Sequence, residues 1–299
     1  MLPRRKSTSF DASYISKCLY RPFDQRSLYY NPALISRPAW DVMRHMLLEG
    51  NLALSVTRQI NGKFAHIFAT KNIITDCTLS TDSKERSYLF PLYIFSNTKD
   101  FASISQEAII KRERIPNLSK QVFKYFNSFT DTPTPEAVFH YVYAILHSHK
   151  YRSRYAEFLR IDFPRIPFTF NESLFCQIAE YGEALVALHL HLMDSPKLRK
   201  PITEFEGNAN RVVDSSHPRY ADGKVIINKK GDGFTGVPEE VWKLNIGGYQ
   251  VCHKWLKDRK GRTLTPEDIT HYQRIVVALQ ETIRLMQQID EAIPGFPIE

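Results

Sequence analysis

The stretch Ile246-Gly247-Gly248-Tyr249-Gln250-Val251-Cys252-His253-Lys254-Trp255-Leu256-Lys257-Asp258-Arg259-Lys260-Gly261-Arg262 is the most particular in the chain. A glycine pair breaks the backbone, an amphipathic turn follows, and a basic run ends at a second glycine. Two other blocks share this density of aromatic and cationic residues. One is Tyr20-Arg21-Pro22-Phe23-Asp24-Gln25-Arg26 with Tyr29-Tyr30, in which Arg21, Asp24 and Arg26 can form a bidentate ion pair that braces a loop between aromatics. The other is Tyr151-Arg152-Ser153-Arg154-Tyr155, followed by Asp162-Phe163-Pro164-Arg165-Ile166-Pro167. There Asp162 and Arg165 flank prolines and fix a turn.

Working outward from these blocks, residues 14–95 read as mostly β. Leu52, Leu54, Val56 and Ile60 fall on one face of an alternating strand. Asn61-Gly62 then supplies a tight type I′ turn, and residues 63–70 return as a second strand with Phe64, His66 and Phe68 on one side. Ile73-Ile74 and the run Tyr88 to Phe95 look like further buried strands around a polar loop at 78–87. A short helix is expected around 119–128. Thr134 can cap and Pro135 can open a helix over 135–147 that buries Val138, Tyr141, Val142 and Ile145. Another helix runs over about 171–193. Lys224 to Asn228 is a short strand, Gly231-Asp232-Gly233 a turn, and 236–240 a helical turn. Thr265-Pro266-Glu267-Asp268 starts a long helix over 266–291. The fold class is therefore α+β, with an N-terminal mixed or antiparallel sheet and a mainly helical C-terminal half. Residues 1–14 are a flexible basic N-terminus. Residues 15–299 form the remainder, with 15–130 as a β-rich lobe and 131–299 as a helical one.

Composition bounds the function. With 43% apolar and 24% charged residues the chain has ample material for a core. Net charge is +8 and the isoelectric point near 9.2, a surplus that favours a polyanionic partner through counterion release from phosphates. Cys18, Cys77, Cys176 and Cys252 are scattered, with no C-x-x-C, so neither a zinc ribbon nor a redox pair is indicated. No run of 18 apolar residues suggests a membrane span, and the basic start Met1-Leu2-Pro3-Arg4-Arg5-Lys6 is not followed by an apolar stretch. A cytoplasmic location is expected.

Taken in order, the blocks cover most of residues 15–292 and resemble the C-terminal specificity domain of type ISP restriction-modification enzymes. Those are long single-chain DNA translocases that also methylate adenine. The resemblance implies a target-recognition domain that positions double-stranded DNA for an adenine-N6 methyltransferase. It also implies that Tyr20, Arg21, Phe23, Asp24 and Arg26 form the structural junction at which a catalytic domain passes into target recognition. The chain then looks as if it starts at a domain boundary, and a methyltransferase or translocase polypeptide is a second expected partner.

The family's catalytic motifs are not in this sequence. A DNA amino-methyltransferase uses F-x-G-x-G for S-adenosylmethionine and N-P-P-Y for the flipped base. Asn31-Pro32-Ala33-Leu34 lacks the second proline and the aromatic, and reads as a turn. Gly231-Asp232-Gly233-Phe234-Thr235-Gly236 has no strong strand before it and also reads as a turn. No Walker motif occurs. His189 and His191 lie about 200° apart on a helix and could not share a metal. The expectation is no catalysis, no metal and no S-adenosylmethionine in this chain.

What remains is binding. Phosphate contacts need cations, and base contacts need bidentate groups such as Arg, Asn or Gln. The candidates cluster as Arg58, Gln59 and Lys63 beside the hairpin turn; Lys111, Arg112 and Arg114; Lys150, Arg152 and Arg154 with His147 and His149; and Lys254, Lys257, Arg259, Lys260 and Arg262. Lys84 and Arg86, in the less family-like loop, are expected to share in sequence choice. The alternative is an assembly module that docks on a separate methyltransferase protein and has little DNA affinity alone.

Overall fold

In the computed structural model, which describes residues 9–48, 50–96, 113–126, 128–190, 198–207 and 210–298, the family-like block at 20–26 is a β-hairpin. Strand β1 (Ile15–Arg21) pairs antiparallel with β2 (Asp24–Tyr29), Arg21 opposite Asp24, so Pro22-Phe23 forms the turn. Phe23 takes φ +61°, a region unfavourable to a residue with a Cβ. Its buried ring offsets the strain by packing edge-on against Phe68 at 5.1 Å and His189 at 5.4 Å. Upstream, residues 12–14 make a 3-10 turn capped by Asp11, and Phe10 stacks on Tyr29. Of the expected flexible N-terminus, residues 1–8 lie outside the described residues.

A second antiparallel sheet has the order β4-β3-β6, from β3 (Ala53–Thr57), β4 (Ile67–Thr70) and β6 (Ser87–Pro91). Between them β5 (Ile73–Ile74) adds in parallel to β1. The antiparallel pairing of β3 with β4 is as the alternation predicts, but the type I′ turn is not. Residues 58–66 form a longer loop, and neither Asn61 nor Gly62 has positive φ. The reason is tertiary. The Asn61 N–H donates to the Glu85 carboxylate at 2.8 Å and its side chain to Asp82 at 2.7 Å, so the segment is held open by a neighbouring loop. The strand run at 88–95 is also less buried than its apolar content suggests. It breaks into β6 and β7 (Tyr93–Phe95), the latter paired with β8 (Arg114–Pro116), and Tyr88, Phe90 and Ile94 alternate outward.

Helices supply the other layer. After a single turn α1 (Trp40–Met43) and a short α2 (Lys120–Tyr125), helix α3 (Pro135–His147) starts where its sequence says it should: Thr134 accepts from the Ala137 N–H with proline in the first turn. Two short helices that the pattern does not show, α4 (His149–Arg154) and α5 (Ala156–Ile161), carry the block at 151–155. Helix α6 (Glu172–Leu190) packs along α3 at Gly182, where a Cβ would fall 1.9 Å from the His140 carbonyl oxygen; only glycine allows that approach.

The C-terminal part holds a four-stranded antiparallel sheet, β10 (Arg219–Ala221), β11 (Lys224–Ile226), β12 (Gly233–Thr235) and β9 (Glu204–Glu206). Helix α7 (Glu239–Lys243), the small hairpin β13 (Asn245–Ile246) and β14 (Tyr249–Gln250), helix α8 (Val251–Lys257) and helix α9 (Pro266–Ala292) follow. The α9 start is a full capping box between Thr265 and Asp268, a feature that stabilises a helix by about 1 kcal/mol. One cluster of buried apolar residues runs from Cys18 to Ile298 and joins sheets and helices.

Candidate nucleic-acid interface

Three segments distant in sequence meet at one end of the β4-β3-β6 sheet: the loop 58–66, the loop 78–86 and the β13-β14 turn. The turn is the Gly247-Gly248 pair. The Gly247 N–H donates to Ala65 O at 2.7 Å and the Gly248 N–H to Leu79 O at 2.8 Å. Gly247 has φ +62°, and a Cβ there would fall 2.0 Å from the Leu79 oxygen. The glycine pair is thus required for docking as well as for turning. At the centre of this junction Glu85 is buried. Burial acts to raise its pKa, but the Asn61 N–H, the Ser80 hydroxyl and His66 outweigh that and hold it below the usual carboxylate range. His66 is in turn held low, chiefly by burial.

The cations on these loops have different fates. Lys63 and Lys84 are exposed and enter no ion pair among the described residues. Arg86 lies 3.6 Å from Asp76, both of them exposed. Arg58, however, pairs with Asp162 at 2.9 Å, the Gln59 amide reaches Ile161 O at 3.4 Å, and the Ile60 N–H donates to Arg160 O. The hairpin loop is therefore tied to the end of α5. Asp162 is held below its ordinary pKa by the Phe163 N–H and then by Arg58.

In the third cluster only part faces outward. Arg154 is exposed. Lys150 is exposed too, with its ammonium on Ile293 O at 2.7 Å. Arg152 turns inward: its Nε donates to Leu146 O at 2.7 Å, and burial lowers its pKa to about 10. His147 is buried and held well below its ordinary pKa by burial and by Arg152, while His149 is lowered by partial desolvation and then by the same arginine.

The fourth cluster divides the same way. Lys254 pairs with Asp258 one turn on. Arg259 lies over the Trp255 ring at 3.4 Å and reaches Asp24 at 3.3 Å and Asp268 at 3.4 Å. This changes the expected junction. Asp24 accepts from Arg26 at 3.0 Å and from Arg259, not from Arg21. Arg21 instead donates to Tyr20 O and stacks over the Tyr20 and Tyr249 rings, although the β1-β2 register sets it opposite Asp24. Lys257, Lys260 and Arg262 remain exposed, with the Lys260 ammonium on Ser215 O.

Sequence reasoning misses the cations that tertiary folding adds to this last group. His217 is held below its ordinary pKa by burial and then by Arg219, with Lys229 and Lys260 acting in the same sense. Exposed Arg219, Lys229 and Lys260 therefore all lie within electrostatic reach of His217, as does Asp214, which acts in the opposite sense, although they sit in different segments. The adjacent Lys229-Lys230 is the only local signal. Arg114 stands apart: it stacks over Tyr93 at 3.6 Å and pairs with Glu136. Lys111, Arg112 and His191 lie outside the described residues.

His189 is a satisfied core histidine, 2.6 Å from the Tyr143 hydroxyl and 3.0 Å from Thr282 Oγ1. The Asn31 side chain accepts from the Ala33 N–H, making the expected turn. Among the described residues no group of three His, Cys, Asp or Glu side chains could hold a metal ion, and no helix is long and apolar enough to cross a membrane.

Comparison with known proteins places this geometry in context. A family model described as the type ISP C-terminal specificity domain matches residues 1–288. No curated protein matches the sequence. Among solved structures, the ATP-dependent type ISP restriction-modification enzyme LlaBIII bound to DNA superposes with a TM-score of 0.74 at 19% identity, over 99% of this chain and 19% of that one. A nuclease-deletion mutant of the type ISP enzyme LlaGI, in complex with a DNA substrate mimic, gives 0.65 at 21% identity over 95% and 21%. The DrdV–DNA complex gives 0.69 at 24% identity over 95% and 29%. The chain thus spans less than a third of the length of each solved relative.

Proposed function

The chain belongs to the type ISP C-terminal specificity domain family, and from that premise we propose that it binds double-stranded DNA as a target-recognition domain and positions it for a methyltransferase. The observation that carries the proposal is how the cations divide. Arg152, Lys254 and Arg259 are used internally to brace the backbone. Lys63, Lys84, Arg86, Arg154, Lys257, Lys260 and Arg262, with Arg219, Lys229 and Lys230, stay exposed, several of them on loops held by other hydrogen bonds, such as those from the Asn61, Lys84 and Lys229 N–H groups. Cations held out from a rigid base suit phosphate contact, because they gain by releasing counterions and lose little order. The relatives named above are DNA complexes, which agrees with this use of the fold.

Catalysis is assigned elsewhere. Neither F-x-G-x-G nor N-P-P-Y occurs, so the chain has no recognisable means of holding S-adenosylmethionine or a flipped adenine. The test is anisotropy titration of the purified chain with a labelled duplex across salt, with calorimetric titration of S-adenosylmethionine beside it. Salt-steep duplex binding with no saturable cofactor heat supports the reading. One-to-one cofactor binding at micromolar affinity overturns it.

A second reading, an assembly module that docks on a methyltransferase polypeptide, draws on a different surface. Phe158 and Ile161 on α5 are 69% and 63% exposed, beside a cavity of about 520 Å³ lined by Tyr155, Phe163 and Pro164. Apolar surface of this kind suits protein rather than phosphate. Weak, salt-insensitive duplex binding by the isolated chain would favour it.

A further inference from the structure

We infer that Glu85 is the positioning residue of this interface: its carboxylate fixes the loop 58–66, the loop 78–86 and the Gly247-Gly248 turn as one surface, so that Lys63, Lys84 and Arg86 meet a duplex in a set arrangement. The part that concerns DNA rests on the function proposed above; the part that concerns the three segments does not.

Each bond has a different origin in sequence. One carboxylate oxygen accepts from the Asn61 N–H at 2.8 Å. The other accepts from the Ser80 hydroxyl at 2.6 Å and meets His66 Nε2 at 3.1 Å. An ionised carboxylate is a pure acceptor with room for several donors, so one buried side chain satisfies both loops. The tie extends outward. Ser80 Oγ accepts from the Asp82 N–H at 3.1 Å. The Asp82 carboxylate holds the Asn61 amide at 2.7 Å and the Lys84 N–H at 2.9 Å. Asn61 and Lys84, one from each loop, therefore share a single anchor. The glycine turn docks on the same pair of loops through Ala65 O and Leu79 O, and a Cβ on Gly248 would fall 2.8 Å from Ser80 Oγ. A loop rearranged at Ser80 would lose the seat of the turn.

His66 makes the device sensitive to the acid itself. Its Nδ1 is buried and has no partner among the described residues. Folded proteins leave a buried acceptor short of partners more often than they leave a buried N–H orphaned. The Glu85 carboxylate keeps the proton on Nε2. In Glu85→Gln the amide carbonyl can retain the Asn61 bond, but its NH₂ group faces Ser80 and His66. The ring must then accept through Nε2 and carry its proton on the unpartnered Nδ1. The Gln variant is thus a graded lesion, not a neutral one.

Two readouts test the inference on the full chain, with a preferred duplex first selected from a random library. In Glu85→Ala, backbone amide exchange at Asn61, Gly247 and Gly248 should quicken by about tenfold or more, while Ala53–Thr57 in β3 keep wild-type protection. Preference for the selected duplex over random duplex should fall by about tenfold, with random-duplex affinity changed by less than about threefold. Glu85→Gln should show the same pattern at smaller amplitude, and it decides the matter if the Ala variant does not fold. Unchanged exchange at Gly247 and Gly248, or equal losses on selected and random duplexes, would overturn the inference. If the wild-type chain shows no salt-dependent duplex binding, the proposed function fails on its own account, and the exchange data still decide whether Glu85 organises the three segments.

Discussion

The Arg259 guanidinium lies 3.3 Å from the Asp24 carboxylate, although 235 residues separate them. This pair joins the β1-β2 turn to the end of α8, the two blocks that make the sequence distinctive. Asp24 is 3% exposed and Arg259 15%. Removing one partner of such a pair leaves a charge buried without full compensation. Arg259→Ala should therefore destabilise the chain by about 3 kcal/mol, read from urea unfolding. Arg26, 3.0 Å from the same carboxylate, keeps the loss from being larger. A surface role for Arg259 would leave the midpoint unchanged.

The exposed neighbours of Arg259 should behave in the opposite way. Neutralising Lys257, Lys260 and Arg262 together should leave the unfolding midpoint nearly unchanged, since each is exposed. The slope of log affinity against log salt should flatten by roughly 0.9 for each phosphate that is no longer neutralised. An unchanged slope would mean that this side of α8 faces away from DNA.

Gly247 offers a test of close approach. Gly247→Ala combines φ +62° with a Cβ 2.0 Å from the Leu79 oxygen. Gly50→Ala has φ +83° but nothing within 4 Å. The second change should cost about 1 kcal/mol from left-handed backbone alone. The first should cost well over ~2 kcal/mol and release the turn from its two loops. Equal losses in urea unfolding would show that the close fit against Leu79 is not needed.

The buried histidines set an acid limit. Burial lowers the His189 pKa from 6.5 to about 3, and His147 shifts in the same direction. As pH falls from 6.5 toward 3, the unfolded chain takes up protons at these positions that the folded chain refuses. Their contribution is thus fully present above pH 6.5 and is lost progressively below it. The slope approaches about 1.4 kcal/mol per pH unit for each histidine. Unfolding free energies measured from neutral pH down to about pH 4 should follow this trend, and His189→Gln should flatten it.

Anchoring and reading should separate by residue. Arg58 is held by Asp162 at 2.9 Å, both about half exposed, a pair that contributes at most about 1 kcal/mol to stability. Arg58→Ala should weaken selected and random duplexes by similar factors. Among Lys84, Arg86, Lys111, Arg112 and Arg114, at least one substitution should cost about 1–3 kcal/mol on the selected site only. Competition binding against a random library decides this. A changed site preference from Arg58→Ala alone would place the hairpin loop in the groove.

The α+β class, the capped starts of α3 and α9, and the Asn31 turn are legible in the sequence, because caps and periodicity depend on residues within one helical turn or a few strand positions. The family-like blocks are legible as well, since glycine and paired charge mark places where backbones approach. The Asn61-Gly62 turn is not, because Glu85 and Asp82, from another loop, take the hydrogen bonds of Asn61. The short helices α4 and α5 escape a reading by pattern because their stability comes from Ser148, Asp290 and Asp162 contacts made across the fold and not from a repeat. The fate of each cation cannot be read from charge spacing. Arg259 and Lys260 are adjacent in sequence, yet one meets Asp24 and the other stays exposed with its ammonium on Ser215 O. A cation becomes a brace or a contact according to whether the fold buries it against a carboxylate, carbonyl or ring or leaves it in water, and that is settled by pairings that charge spacing does not show.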